Sequence, residues 1–408
     1  MSPHTTFRRT GVIGLAIAVA LVTGACSGSR TEKGLVIGES TSTSTALPAP
    51  DIVEDPTTTT ADASTTTGRK GGGGRASGAA VSPKLTGIPD GSPYGDAIAF
   101  TSSVEVPTDL VWVLAIGSDA RPGGNMRKSN GDSIHLVGVD PQTGVGTIVG
   151  FPRDSWVKIP GHGTGKINSA LAIGGPELMA ETVRQVTGLP VHFYMVTAFD
   201  GFQKIVDELG GVNVKVDKKM NDKNSGARFD PGWHNMNGGQ ALAYSRNRYD
   251  VPNGDFTRSL HQGNIMMSGL AKLRAEIGDD PGLHHWIGVF LRHADLDSPP
   301  QSLLPLAALA RRLDPAKITN IVAPGRVGTA GSASVVYLTD EARKLFIDLR
   351  PDAAIGGPSG DDPRPAATTT TTLAPSTTTT APPAAETTTS STVPQILPTT
   401  TTTRGLFN

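Results

Sequence analysis

Hydrophobic positions change rhythm several times along the middle of this chain, and each rhythm predicts an element. Residues 110–116 (Leu-Val-Trp-Val-Leu-Ala-Ile) are apolar without a break and end at Gly117. A run of this kind predicts a central strand covered on both faces. Residues 134–139 and 147–151 predict two more strands. The turn chemistry of Asp140-Pro141-Gln142-Thr143-Gly144 between them predicts a hairpin.

The period then lengthens. Pro176 opens a predicted helix at a position where its missing N–H costs nothing. Leu178, Met179, Thr182, Val183 and Val186 form the apolar face of that helix, and Gly188-Leu189-Pro190 stops it. Phe199, Phe202, Ile205, Val206 and Leu209 mark a second amphipathic helix, ended by Gly210-Gly211. Val212, Val214 and Val216 alternate with polar residues as a half-buried strand does. Residues 257–273 and 301–313 predict a third and a fourth helix, and residues 335–337 a short strand. Thr339 is placed to cap a last helix running to Leu349. Alternating strands and helices predict an α/β fold: a single mixed-sheet domain over residues 106–350, with helices packed on the sheet.

Both flanks lose this rhythm. Residues 1–26 read as an export signal, with Arg8 and Arg9, an apolar run over 12–22, and Thr23-Gly24-Ala25 before Cys26. The apolar run falls short of the roughly 20 residues that span a bilayer comfortably. Cys26 is the one cysteine of the chain, and its setting is that of a lipobox, whose thiol is acylated. An ordinary cleaved signal and a short membrane anchor are the other readings. Residues 27–105 are expected to be a disordered linker, and residues 351–408 a disordered Thr/Pro-rich tail. Tracts such as Thr57-Thr58-Thr59-Thr60 and Gly71-Gly72-Gly73-Gly74 cannot bury enough apolar surface to offset the entropy of ordering. Such tracts fit a spacer that holds a domain away from a membrane, and equally fit tails of no specific role.

Composition narrows the chemistry. With Cys26 spent at the leader, the folded part has no disulfide, no catalytic cysteine and no Cys-zinc site. A formal net charge of −1 argues against nucleic acid as a partner.

Two clusters remain. The early one is Gly117-Ser118-Asp119-Ala120-Arg121 with Asp132 in Asn130-Gly131-Asp132-Ser133. The late one is Ser245-Arg246-Asn247-Arg248, then Arg258 and Gln262. Carboxylates hold hard cations through oxygen, and guanidinium forks match phosphate oxygens. Together they suit a pyrophosphate; surface salt bridges are the alternative. Asp119 would lie just past the carboxyl end of a central strand, where open α/β sheets place ligands. Arg258 and Gln262, four apart on one helix, would share a face, with Arg258 in the first turn where an anion is attracted.

The segments that carry these residues resemble the LytR-CpsA-Psr family of the bacterial cell envelope. In family order they are Leu114-Ala115-Ile116-Gly117-Ser118-Asp119-Ala120-Arg121, Gly131-Asp132-Ser133, Phe151-Pro152-Arg153-Asp154, Lys166-Ile167-Asn168-Ser169-Ala170, Phe199-Asp200-Gly201-Phe202, Leu209-Gly210-Gly211-Val212, the stretch from Asn237 to Arg246, and Asp255-Phe256-Thr257-Arg258. The resemblance covers about residues 110–275. It implies a transferase that moves an anionic glycopolymer from a polyprenyl pyrophosphate carrier to peptidoglycan, at the outer face of the cytoplasmic membrane. Asp119 and Asp132 would bind Mg²⁺ (or Mn²⁺). Arg121, Arg153, Arg246, Arg248, Arg258 and Gln262 would clamp the pyrophosphate, and an apolar groove would take the lipid. Asp119 and Asp154 are the base candidates, with Asp154 orienting Arg153 as the other reading. A hydrolase of the same link, or a non-catalytic surface lipoprotein that binds wall polymer or carrier, are the competing functions. Three positions depart from the family pattern: Asn130 and Gly131 before the second aspartate, and His261, expected to be a helix-surface histidine or a weak cation. His162, His284 and His285 lack metal-ligand companions, and Gly232-Trp233-His234 is expected in a loop.

Overall fold

The computed structural model describes residues 51–53, 79–298 and 303–356. Cys26, the export signal and the threonine tracts lie outside them. The described strands are β1 (Lys84–Thr86), β2 (Val111–Ser118), β3 (Gly131–Val139), β4 (Gly146–Gly150), β5 (Trp156–Ile159), β6 (Gly163–Lys166), β7 (Phe193–Thr197), β8 (Val212–Val216), β9 (Met220–Asp222), β10 (Ala227–Phe229), β11 (Gly232–Met236), β12 (Asp295–Leu296), β13 (Ile318–Val322), β14 (Gly325–Ala330) and β15 (Ala333–Leu338). The described α-helices are α1 (Ser169–Thr187), α2 (Phe199–Glu208), α3 (Gly238–Arg246), α4 (Asp255–Glu276), α5 (Asp280–His293), α6 (Leu303–Arg312) and α7 (Asp340–Asp348).

The main sheet runs β1-β13-β4-β3-β2-β7-β12. β2 is apolar throughout because both of its faces are covered. Trp112, Leu114 and Ile116 enter a core layer under α1 and α7, while Val111, Val113 and Ala115 enter the opposite layer under α2, α4, α5 and α6. β3 lies antiparallel to both β2 and β4. β7 is parallel to β2, and β13 is parallel to β4. The sheet is therefore mixed, and the carboxyl ends of β2, β4, β7 and β13 all reach the same edge of the molecule.

Several expected elements need correction. The hairpin of β3 and β4 forms as expected. The first helix begins at Ser169, before Pro176. Gly175 at φ 79° interrupts it, and Pro176 starts its second part. The third begins at Asp255, so Arg258 sits one turn in and its backbone N–H already bonds to Gly254 O at 3.0 Å. It cannot offer that N–H to an anion. Helix α3 was not anticipated: its capping box, Asn237 with Gln240, is strong, but Gly238-Gly239 and small side chains blur the apolar stripe. Helix α5 was also missed; it buries Trp286 while His284 and His285 face solvent. Gly232-Trp233-His234 is not a loop but part of β11, paired with β8 outside the main sheet. Thr339 holds the N-cap position of α7 without a side-chain cap bond.

The linker boundary also moves. Within residues 79–105, expected to be disordered, β1 adds to the sheet edge on β13. Ile98 N donates to Arg274 O at 3.2 Å, and Ile88, Phe100 and Val104 pack on the core. These apolar side chains are what the threonine and glycine tracts lack. At the other end, Ala353 is buried, and its carbonyl accepts from Thr147 Oγ1 at 2.7 Å. Among the described residues no helix is long and apolar enough to cross a membrane.

Helix α4 crosses the sheet at close range because Gly263 has no side chain. A Cβ there would stand 2.1 Å from Oδ1 of Asn320, a buried residue of β13. The Asn320 amide nitrogen is fixed by Leu260 O and Asn264 Oδ1, both at 2.9 Å. Gly263→Ala is expected to destabilise the fold by roughly 1–3 kcal/mol, the usual range for overpacking. Urea unfolding checks this; an unchanged midpoint would refute the tight crossing.

Candidate active site

The site forms where the four parallel strands end. At the β2–β3 ladder Gly117 faces Ser133, but Ser118 faces Gly131, so Asp132 is the extra residue of a bulge. The bulge places the Asp132 carboxylate beneath the loop that follows β2. Asp119 starts that loop. Its N–H donates to Asn130 O, and its Oδ1 accepts from Asn130 N, both at 2.9 Å. The two aspartates thus sit at the two ends of one loop, closed by one backbone bond and one bond to the Asp119 carboxylate.

Asp132 is only 7 % exposed. Arg153, which leaves β4 after Phe151-Pro152, donates to its Oδ1, and Arg258 Nη1 lies 3.4 Å from the same oxygen. Arg258 is 4 % exposed and also pairs with Asp255 at 2.5 Å. Burial by itself would raise the Asp132 carboxyl, but Arg258 and then Arg153 outweigh it and hold the group below its usual range. Gln262, one turn after Arg258, points its amide nitrogen at Asp132 O and Ser245 O, each at 3.3 Å. It ties β3 to α3.

The expected phosphate clamp therefore divides in two. Arg153, Arg258 and Gln262 are engaged within the protein. Among the described residues, Arg121, Arg246 and Arg248 have no carboxylate partner within salt-bridge distance. The Arg121 and Arg246 guanidiniums lie 5.7 Å and 4.7 Å from the ring centroid of Phe199. Arg246 is half-buried. Its guanidinium is pushed below its ordinary range by burial, and by the like charges of Arg121, Arg258 and Arg153 against the pull of Asp132. Arg248 instead lies over the ring of Tyr249 at 4.9 Å and donates to its hydroxyl at 2.8 Å. Tyr249 is 62 % exposed. Asp154 pairs with Lys166 at 3.0 Å, because β6 brings Lys166 back alongside the start of β5, and its charge adds to the pull of Asp132 and Asp255 on the Arg153 guanidinium.

Gly117, Ser118, Asp132, Phe199, Ser245, Arg246 and Gln262 line a small cavity of about 20 Å³. That is room for a water molecule, so an anionic ligand must sit at its mouth or widen it. Phe199 went unnoticed as a site residue because an aromatic at the start of an amphipathic pattern reads as core. It is the first residue of α2, directly after the carboxyl end of β7.

Two histidines support the site from below. His135 is fully buried in β3. Its Nε2 faces Ser259 O at 2.9 Å, and its Nδ1 faces Ser133 Oγ at 3.1 Å. A carbonyl can only accept, so Nε2 carries the proton and the Ser133 hydroxyl donates to Nδ1. His261 is neither a surface histidine nor a cation. It is buried and stacked on Tyr244 with centroids 4.5 Å apart. Burial lowers both imidazoles to about 4.

For a metal, the chain offers Asp119 and Asp132 here. Among the described residues no group of three or more Asp, Glu, His or Cys gathers at ligand spacing. The donor chemistry fits Mg²⁺, which is commonly held by one or two carboxylates, with water and ligand phosphate completing its shell. It does not fit a cation caged by protein alone.

Residues 92–344 match the LytR_cpsA_psr family. Regulatory protein MsrR of Staphylococcus aureus is 40 % identical over 158 residues, covering 38 % of this chain and 47 % of MsrR. The polyisoprenyl-teichoic acid–peptidoglycan teichoic acid transferase TagU of Bacillus anthracis is 34 % identical over 166 residues, 40 % of this chain and 53 % of TagU. The chain thus spans about half the length of these relatives. The crystal structure of B. subtilis TagV matches 60 % of this chain and 98 % of TagV at a TM-score of 0.52 and 24 % identity, a likeness of fold.

The buried neutral histidines give the fold an acid-sensitive side. The unfolded chain binds these two protons near pH 6.5, while the folded protein resists them down to about 4. Their contribution is complete above about pH 6.5 and is lost as pH falls toward 4, by up to about 1.4 kcal/mol per pH unit for each. Asp132, whose pKa is lowered on folding, adds a further loss only below the ordinary carboxylate range near 4. Urea midpoints should fall between pH 7 and pH 5, and equal midpoints would contradict the burial of these imidazoles.

Proposed function

The chain belongs to the LytR_cpsA_psr family, and from that we propose that it is a phosphotransferase moving an anionic glycopolymer from a polyprenyl pyrophosphate carrier to peptidoglycan in cell-wall assembly. The name of TagU, which describes a transfer from a polyisoprenyl carrier to peptidoglycan, supports this reading. The observation that carries it is the Arg121–Arg246 pair. Two cations close together, one half-buried and one exposed and neither with a carboxylate partner among the described residues, are suited to a ligand that brings its own negative charge.

In this mechanism the pyrophosphate settles on Arg121 and Arg246, with Arg248 swinging from Tyr249 to join them. Arg153 and Arg258 act at one remove: they fix Asp132 and supply positive potential behind it. Phosphoryl transfer is mostly positioning and charge stabilisation, and this arrangement provides both. Mg²⁺ (or Mn²⁺), held by Asp119 and Asp132, would neutralise further charge on the phosphates. The acceptor is a sugar hydroxyl: its oxygen bonds to the glycopolymer-linked phosphorus, the P–O–P link breaks and prenyl phosphate leaves, and the hydroxyl proton passes to a carboxylate, with Asp119 and Asp154 as candidates. Asp154 is restrained by Lys166, whose Nζ lies 3.0 Å from its Oδ1. We place the reaction at the outer face of the cytoplasmic membrane, with Cys26 as the lipid attachment.

The test incubates the protein with a short-chain prenyl-pyrophosphate sugar and a peptidoglycan fragment, with and without Mg²⁺, and reads products by mass spectrometry. A sugar-phosphate-muropeptide adduct that requires Mg²⁺ and Asp119 is expected. Prenyl phosphate with free sugar phosphate would instead make the protein a hydrolase, and intact bound substrate would make it a binding protein. Arg246→Ala should lower turnover by ~10² or more, since a charge-assisted contact at a desolvated phosphate contributes roughly 2–5 kcal/mol. Turnover within threefold of wild type would remove Arg246 from the reaction. Arg258→Ala is the poorer probe, because it also strands Asp132.

A further inference from the structure

Phe199 offers its ring to two cations that repel each other. Arg121 comes from the loop after β2 and Arg246 from the last turn of α3; neither has a carboxylate within salt-bridge distance among the described residues. Both guanidiniums lie over the Phe199 ring, at 5.7 Å and 4.7 Å from its centroid. Its position as the first residue of α2 puts that ring at the carboxyl end of the sheet, lining the same cavity as Asp132 and Arg246. An aromatic face attracts a cation through its quadrupole and does so without neutralising the charge. A carboxylate in this place would hold the arginines more strongly, but would also compete with an incoming anion.

We propose that Phe199 is a positioning residue for phosphate binding: its ring orients Arg121 and Arg246 while leaving their charge free for a pyrophosphate group. This rests on the reading of the arginine cluster as a pyrophosphate site. The aliphatic surrogate Leu fills much of the same volume but has no quadrupole, so Phe199→Leu isolates the electrostatic role from the packing one. Phe199→Tyr keeps the ring face and serves as the conservative control.

The experiment measures binding of inorganic pyrophosphate to the full chain by calorimetry, for wild type, F199L, F199Y, R246A and the F199L/R246A double variant, with thermal unfolding in parallel. F199L should weaken binding about tenfold, in line with the loss of two cation–π contacts. F199Y should bind within about twofold of wild type. In the R246A background F199L should cost clearly less than it does alone, because one of the two contacts it removes is already gone. A purely structural role would predict the opposite set: a lowered unfolding temperature, equal cost in both backgrounds and no recovery by tyrosine. If wild type binds pyrophosphate and F199L binds it equally well, the positioning role is overturned while the pyrophosphate site stands. If wild type itself fails to bind, the pyrophosphate reading falls and this inference falls with it.

Discussion

A carboxylate shut away from water is tolerable only with its charge answered, and at Asp132 two guanidiniums answer it. Arg153 arrives from the end of β4 and Arg258 from α4, and both reach the same oxygen. Gln262 adds a bond to the backbone carbonyl of the same residue. Three segments far apart in the chain are thereby tied at one edge of the sheet. The arrangement is demanding, since removing one partner of a buried pair commonly costs about 3–5 kcal/mol. The β-bulge at Gly117 and Ser118 serves this arrangement: without the extra residue the register would carry Asp132 opposite Ser118.

Because Asp132 is already engaged, the neighbouring cations are left without a carboxylate. Arg121 and Arg246 rest on an aromatic face, and Arg248 rests on Tyr249. The division between a locked inner shell and a loosely held outer one has a functional logic. The inner shell ties the strand ends to one another. The outer shell keeps like charges close to one another, Arg246 against Arg121, Arg258 and Arg153. His135 and His261 extend the locked shell into the core without adding charge, since both remain neutral near pH 7.

Much of this was legible before any coordinates. The unbroken apolar run of β2 revealed a strand covered on both faces, and the turn between residues 139 and 146 revealed the hairpin. Asp119 and Asp132, and most of the arginine set, stood out as a group. What misled was local: His261 looks like a surface residue because polar residues flank it on the helix. At Asp154 the sequence offered only the adjacent Arg153, and the β5–β6 hairpin then delivered Lys166 as its ion-pair partner. The Gly-rich start of α3 and the ordered stretch around β1 were hidden for a related reason: their stability comes from what they pack against.

The sequence by itself determined the period of each element, the two-sided burial of the sheet and which residue types were gathered for anion chemistry, because these depend on side chains along a single segment. The tertiary structure alone decided which arginines are spent on Asp132 and which remain available, that two of them lie over the ring of Phe199, and that His261 is sealed against Tyr244. Those outcomes depend on distances between residues more than a hundred positions apart in some cases, such as Asp132 and Arg258. A charge has no partner, and a ring no cation, until the sheet has brought the strand ends together.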